Sequence, residues 1–149
     1  MSFQTAVEET PEIENGYQAG LRALGRHSVL ISVNDTRACE GSLNIDECTA
    51  KVRPGENRWD YCFAYKNEVF FVEVHPAETS DVETVINKLN WLKEWLTSSA
   101  PAISALTATT MFPFHWLHTG STHIIPGSKQ YRKATQHNIL PKARLELKH

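Results

Sequence analysis

Two consecutive segments constrain this chain more than any other part of its 149 residues. Trp59-Asp-Tyr-Cys-Phe-Ala-Tyr65 and Glu68-Val-Phe-Phe-Val-Glu-Val-His75 are both rich in aromatic and β-branched residues, and only Lys66-Asn67 separates them. Such runs read as two strands joined by a tight turn. A two-residue turn pairs Tyr65 with Glu68. Phe63 then meets Phe70, Tyr61 meets Val72 and Trp59 meets Val74 on one face. Ala64 meets Val69 and Cys62 meets Phe71 on the other. Both faces are apolar, so the hairpin is expected at the centre of a sheet covered on both sides.

The same register sets Asp60 opposite Glu73. Cross-strand partners point to one face, about 5 Å apart at Cβ. His75 lies two residues on and shares that face. Two facing carboxylates repel unless a cation bridges them or they share a proton. Hard oxygen donors of this kind suit Mg²⁺ or Mn²⁺. A three-residue turn would instead pair Asp60 with Val74 and send its side chain to the opposite face. The plain alternative to a metal site is that Asp60 caps a strand entrance and Glu73 pairs with a Lys or Arg.

Around the hairpin the chain alternates helices and strands. Ile13, Tyr17, Leu21 and Leu24 make a helical stripe over residues 11–25, with Thr10 as N-cap and Pro11 in the first turn. Residues 28–33 read as a short strand, and 34–58 as a loop with a weak strand near 42–45. Pro76 ends the hairpin. Ser80 and Glu83 have capping-box spacing, opening a helix to about residue 98 with Val82, Ile86, Leu89, Leu92 and Leu96 on one stripe. Residues 112–117 and 122–125 read as a second hairpin about Gly120. Residues 128–138 form a polar helix capped by Ser128, and 143–147 a last strand. The pattern predicts one mixed α/β domain over 1–149.

The arrangement of Asp60, a hairpin and Glu73-Val-His75 resembles the core of the PD-(D/E)XK nuclease superfamily, over residues 11 to about 118. The resemblance implies a restriction-endonuclease-like mixed β-sheet core flanked by helices. It implies metal held by Asp60 and Glu73, assisted by a carboxylate on the first helix, for which Glu14 is the candidate and Glu12 the weaker one. The family's motif Lys is His75 here. A Lys is a fixed cation near neutral pH, whereas His titrates near 6.5. His75 would serve as general base or third ligand, or mark a site that binds without cutting. In some members the Lys resembles one supplied by the following helix, and Lys88 is the residue in that position.

The formal net charge of −2 conceals an uneven distribution: residues 1–16 carry four acids and no Lys or Arg, while 127–149 carry six bases against one acid. Lys129, Arg132 and Lys133 fall on one helical face and are candidates for nucleic-acid phosphates. The partners expected are nucleic acid, or a protein if the site is degenerate, with a homodimer as one arrangement. With 41% hydrophobic and 21% charged residues, a folded and not a disordered chain is expected. No apolar run is long enough for a membrane span, and the first residues do not read as a secretory signal. Cys39, Cys48 and Cys62 form no C-x-x-C pair, so a disulfide framework is not expected and a reducing cytoplasm is the simplest location. His115, His118 and His123 do not make a metal cluster, because strand alternation sends 115 and 118 to opposite faces. No P-loop, dinucleotide fingerprint or nucleophile elbow is present.

Overall fold

The hairpin forms in the two-residue register. In a computed structural model describing all 149 residues, strands β3 (Tyr61–Tyr65) and β4 (Glu68–Val74) pair Tyr61 with Val72, Phe63 with Phe70 and Tyr65 with Glu68. Lys66 and Asn67 take φ of 51° and 64°, the left-handed pair that matches a tight turn to the twist of its strands. Strand β2 (Cys39–Asn44) lies antiparallel on β3, with a register shift between Cys39 and Gly41. A Cβ on Gly41 would stand 2.3 Å from the Tyr17 ring, so the close approach of Tyr17 requires glycine there.

Helix α3 (Asp81–Ser98) crosses over and delivers strand β6 (Phe114–Leu117) parallel to β4, giving the sheet order β2-β3-β4-β6. A parallel neighbour requires such a crossover. Both faces of the sheet are covered, as the doubly apolar hairpin predicts. Cys62, Ala64, Val69, Phe71 and Trp116 pack beneath α3, through Val82, Val85, Leu89 and Leu92. Phe63, Tyr65, Phe70 and Val72 pack with Leu24, Ile31, Leu145 and Leu147. The latter cover comes from β1 (Ile31–Val33) and β8 (Leu145–Leu147), which pair in parallel as a separate ribbon.

Several expectations are corrected. Residues 11–25 are not a helix. Pro11–Ile13 and Arg22–Leu30 are 3₁₀ turns, and Gly20 and Gly25 take positive φ, which breaks an α-helical path. The first helix is α1 (Phe3–Glu8), capped by the Ser2 hydroxyl and burying Phe3, Ala6 and Val7. The segment 34–58 contains all of β2 and the short helix α2 (Ile45–Thr49), which Asn44 caps. Residues 112–125 are not a hairpin: β6 joins β4, while β7 (Thr122–His123) pairs in parallel with β5 (Ala77–Glu78). Trp59 precedes β3 and packs in the cluster under α3, not beside Tyr61 and Phe63.

The helix at 80–98 starts without the predicted capping box. The Ser80 hydroxyl makes no cap hydrogen bond, and the Asp81 carboxylate instead accepts the Glu78 N–H at 2.9 Å. A short helix α4 (Pro101–Ser104) follows, and α5 (Lys129–Gln136) is capped by Ser128 as the sequence predicts. No helix is long and apolar enough to cross a membrane. The three cysteines are free thiols.

Candidate active site

Asp60 and Glu73 lock each other through the backbone. The Asp60 N–H donates to Glu73 Oε1 at 3.1 Å, and the Val74 N–H donates to Asp60 Oδ2 at 3.0 Å. The Asp60 carbonyl accepts the N–H groups of Ile45 and Asp46, tying the start of α2 to the strand entrance. Glu73 is fully buried and Asp60 half-buried. Each carboxylate uses one oxygen in these bonds. Asp60 Oδ1 takes no protein hydrogen bond, and Glu73 Oε2 faces α3.

Helix α3 supplies the cation. Lys88, on the sheet-facing edge between Val85 and Leu92, sets its ammonium 2.6 Å from Glu73 Oε2. His75 closes the group: its Nδ1 is 3.6 Å from Glu73 Oε2, and its Nε2 is 3.2 Å from Asp81 Oδ1. The His75 carbonyl accepts the Trp116 indole N–H, which fixes the strand end. Asp60, Glu73, His75 and Lys88 therefore converge from the first strand of the hairpin, the second strand and the next helix.

The charges are strongly coupled. Burial pushes Asp60 up to about 7, and the Glu73 charge adds to the shift, while Lys88 and the Val74 N–H oppose it. Burial alone would lower Lys88, but the Glu73 charge and hydrogen bond, with Asp60, hold it above the usual lysine range. The Glu73 carboxylate beside His75 raises the imidazole above its ordinary value against its own burial. The cluster thus attracts positive charge: three carboxylates, Asp60, Glu73 and Asp81, surround one lysine and one histidine.

Two contributors were absent from the sequence reading. Asp81 anchors His75 from the first turn of α3, one residue after the expected Ser80 cap. Asp46, on the first turn of α2, lies near enough to push Asp60 upward and is itself held by Arg58, Nε to Oδ1 at 2.8 Å. Its signal was Asn44-x-x-Glu47, an N-cap pattern inside a segment that otherwise reads as loop.

Glu14 is not brought to the pair. Without a helix at 11–25 it stands exposed after the Pro11–Ile13 turn, makes no hydrogen bond, and lines a separate cleft with Asn44 and Glu47. Glu12 is taken by Arg53 in a bidentate bond at 2.8 and 2.9 Å. On α5, Lys133 pairs with Glu83 of α3 at 3.0 Å, while Lys129 and Arg132 are exposed and unpaired. Lys129 and Lys133 flank a small cleft with Thr79 and Ser80 at the start of α3. The three histidines of 115–123 go to different partners: His115 to the Phe112 carbonyl and Lys142, His118 to the Gly120 carbonyl, His123 to Glu78 and Ser121.

No three His, Cys, Asp or Glu side chains are grouped as a metal cage. Asp60 Oδ1 is the free carboxylate oxygen of the pair, while Glu73 could join it on a cation only by sharing oxygens that already accept the Asp60 N–H and the Lys88 ammonium. A hard ion bound by two carboxylates with water completing its shell is the ordinary Mg²⁺ arrangement. Comparison with family models, with curated proteins and with solved structures returns no match.

Proposed function

We propose that this chain is a divalent-metal-dependent nuclease of restriction-endonuclease-like fold. The observation that carries the reading is Lys88 Nζ on Glu73 Oε2 at 2.6 Å, beside Asp60. A lysine reaching the pair from α3 fits the variant of the family pattern in which the following helix provides the cation that the strand lacks at His75. The strand order β2-β3-β4-β6, with β6 parallel after a helical crossover, supports the same reading.

Asp60 and Glu73 would hold Mg²⁺ or Mn²⁺, which supplies Lewis-acid polarisation of a phosphodiester and a more acidic bound water. The chain's own groups do the rest. The backbone bonds from Asp60 and Val74 fix the two carboxylates before any ligand arrives. Lys88 brings a permanent cation to the acidic centre, where it orients a water or offsets phosphate charge. His75, held by Asp81, adds a second, titratable positive group. Lys129 and Arg132 are free to meet backbone phosphates, whereas Lys133 must first leave Glu83.

The test is cleavage of single- and double-stranded DNA and RNA with Mg²⁺ or Mn²⁺. Metal-dependent cutting that disappears in Asp60→Ala plus Glu73→Ala supports the assignment. Cutting that survives the double substitution defeats it. The same bond favours a second reading, a catalytically degenerate module that binds nucleic acid or a protein partner, because Lys88 already occupies the Glu73 oxygen. Salt-sensitive nucleic-acid binding without Mn²⁺ affinity or cleavage would support that reading.

A further inference from the structure

A groove of about 530 Å³ opens directly beside His75. One wall is the end of β4, with Val74 and His75. The other is the 3₁₀ segment Arg22–Leu30, which contributes Arg26, His27 and Val29, and Thr119 also lines the groove. Gly25 makes this wall: its φ of 54° and ψ of −129° bend the segment and turn Arg26 and His27 toward the groove. Arg26 is exposed and has no ion pair or side-chain hydrogen bond, unlike Lys133, Arg53 and Arg58. Its charge reaches the Tyr61 phenol, which also lies within the fields of Asp60 and Glu73. His27 Nδ1 is 3.0 Å from the Tyr61 hydroxyl, so the wall is tied to the strand that carries the site. Val29 is 70% exposed and adds an apolar surface to the groove.

We propose that this groove seats one unstacked nucleotide of a single strand next to the reacting phosphodiester, with Arg26 on its phosphate and the base against Val29 and Val74. The proposal rests on the nucleic-acid reading above and sharpens it. The groove combines an unpaired cation, an apolar wall and a shared residue with the carboxylate site, which suits a ligand that is anionic at one end and flat and apolar at the other. Its volume lies in the range of small-molecule pockets, so it admits a nucleotide taken out of a stack and not a paired duplex. The guanidinium is the side chain best suited to a phosphate, because it offers a planar set of donors.

The experiment measures binding and cleavage on the same samples. Fluorescein-labelled dT12, rU12 and a blunt DNA hairpin are titrated in EDTA with the full chain and with Arg26→Gln, Val29→Glu and Lys51→Gln. Both wall residues are exposed, and circular dichroism checks each fold. The expected result is tighter binding of the single strands than of the hairpin. Arg26→Gln should weaken it about tenfold and reduce the slope of log K against log salt by about one. Val29→Glu should also weaken binding, and Lys51→Gln, an exposed cation outside the groove, should leave it within about twofold. Amide shifts of the wild type on adding dT12 should centre on Arg26, His27, Val74 and Thr119. Mn²⁺ is then added and cleavage scored. Single-strand binding lost in Arg26→Gln supports the groove whether or not the chain cuts. Binding equal in wild type and Arg26→Gln overturns the groove, and metal-dependent cleavage seen alongside that result leaves the nuclease reading standing. Neither binding nor cleavage by the wild type overturns both.

Discussion

Replacing Lys88 by Met removes the cation while keeping the unbranched stem that packs between Val85 and Leu92. Glu73 is fully buried and the Lys88 side chain only 19% exposed, so the ion pair is screened little by water. Deleting one partner of a buried pair costs about 3–5 kcal/mol, chiefly by leaving the other charge unpaired. Glu73 keeps its bond from the Asp60 N–H, so the loss here should be smaller, about 2–4 kcal/mol. For a chain of this size that is a fall of roughly 5–15 °C in Tm. Urea denaturation at pH 7 in EDTA measures it, with Glu73→Gln and the double variant completing a cycle. Because Gln carries no charge to strand, Lys88→Met in the Glu73→Gln background should cost at least about 1.5 kcal/mol less than in the wild type. A single-variant loss below about 0.5 kcal/mol, with no coupling to Glu73, would refute the claim that Lys88 neutralises a buried carboxylate.

Two further outcomes follow from the geometry. Asp60 titrates near 7 in the folded chain and near 3.9 unfolded, so between those values the native state binds the extra proton. Metal-free stability therefore falls as pH rises from about 4 to 7, by up to roughly 4 kcal/mol from this group. Asp60→Asn should be more stable than the wild type at pH 8 in EDTA, with the advantage shrinking toward pH 5; an advantage that grows toward pH 5 would reverse the assigned sign. Gly25→Ala should cost about 1–3 kcal/mol, because φ 54° and ψ −129° suit only glycine and no neighbouring atom would clash with the added methyl. A thermal melt unchanged from the wild type would show that Gly25 is not bound to that conformation.

The hairpin could be read from the residues because two doubly apolar runs flank a two-residue gap, and of the two registers open to it the two-residue turn forms. That register alone placed Asp60 beside Glu73 and His75 on their face. Helix α3 was equally plain from its stripe, but the role of Lys88 was not. Periodicity puts a lysine at the edge of a buried stripe, where its amine ordinarily runs out to water. Only the buried Glu73 beneath it turns that lysine inward. The stripe at 11–25 misled because Ile13, Tyr17, Leu21 and Leu24 face the core through a series of turns, and spacing cannot distinguish turns from a helix. Glu14 lost its place with that helix. The pairing of β6 with β4 was hidden for a different reason: parallel strands are joined over a long crossover, and nothing local in 112–125 records the distant partner. Asp46 and Asp81 reach the site from helix starts whose capping residues conceal any other role.

The most direct test of the account is a calorimetric titration of Mn²⁺ into the metal-free chain at pH 8, where Asp60 is ionised. The carboxylate pair predicts one ion per chain, with that heat abolished in Asp60→Asn plus Glu73→Gln and affinity falling as pH drops through 7, since the ion must displace the Asp60 proton. Wild-type and doubly substituted protein giving the same isotherm would contradict the claim that Asp60 and Glu73 form a metal site.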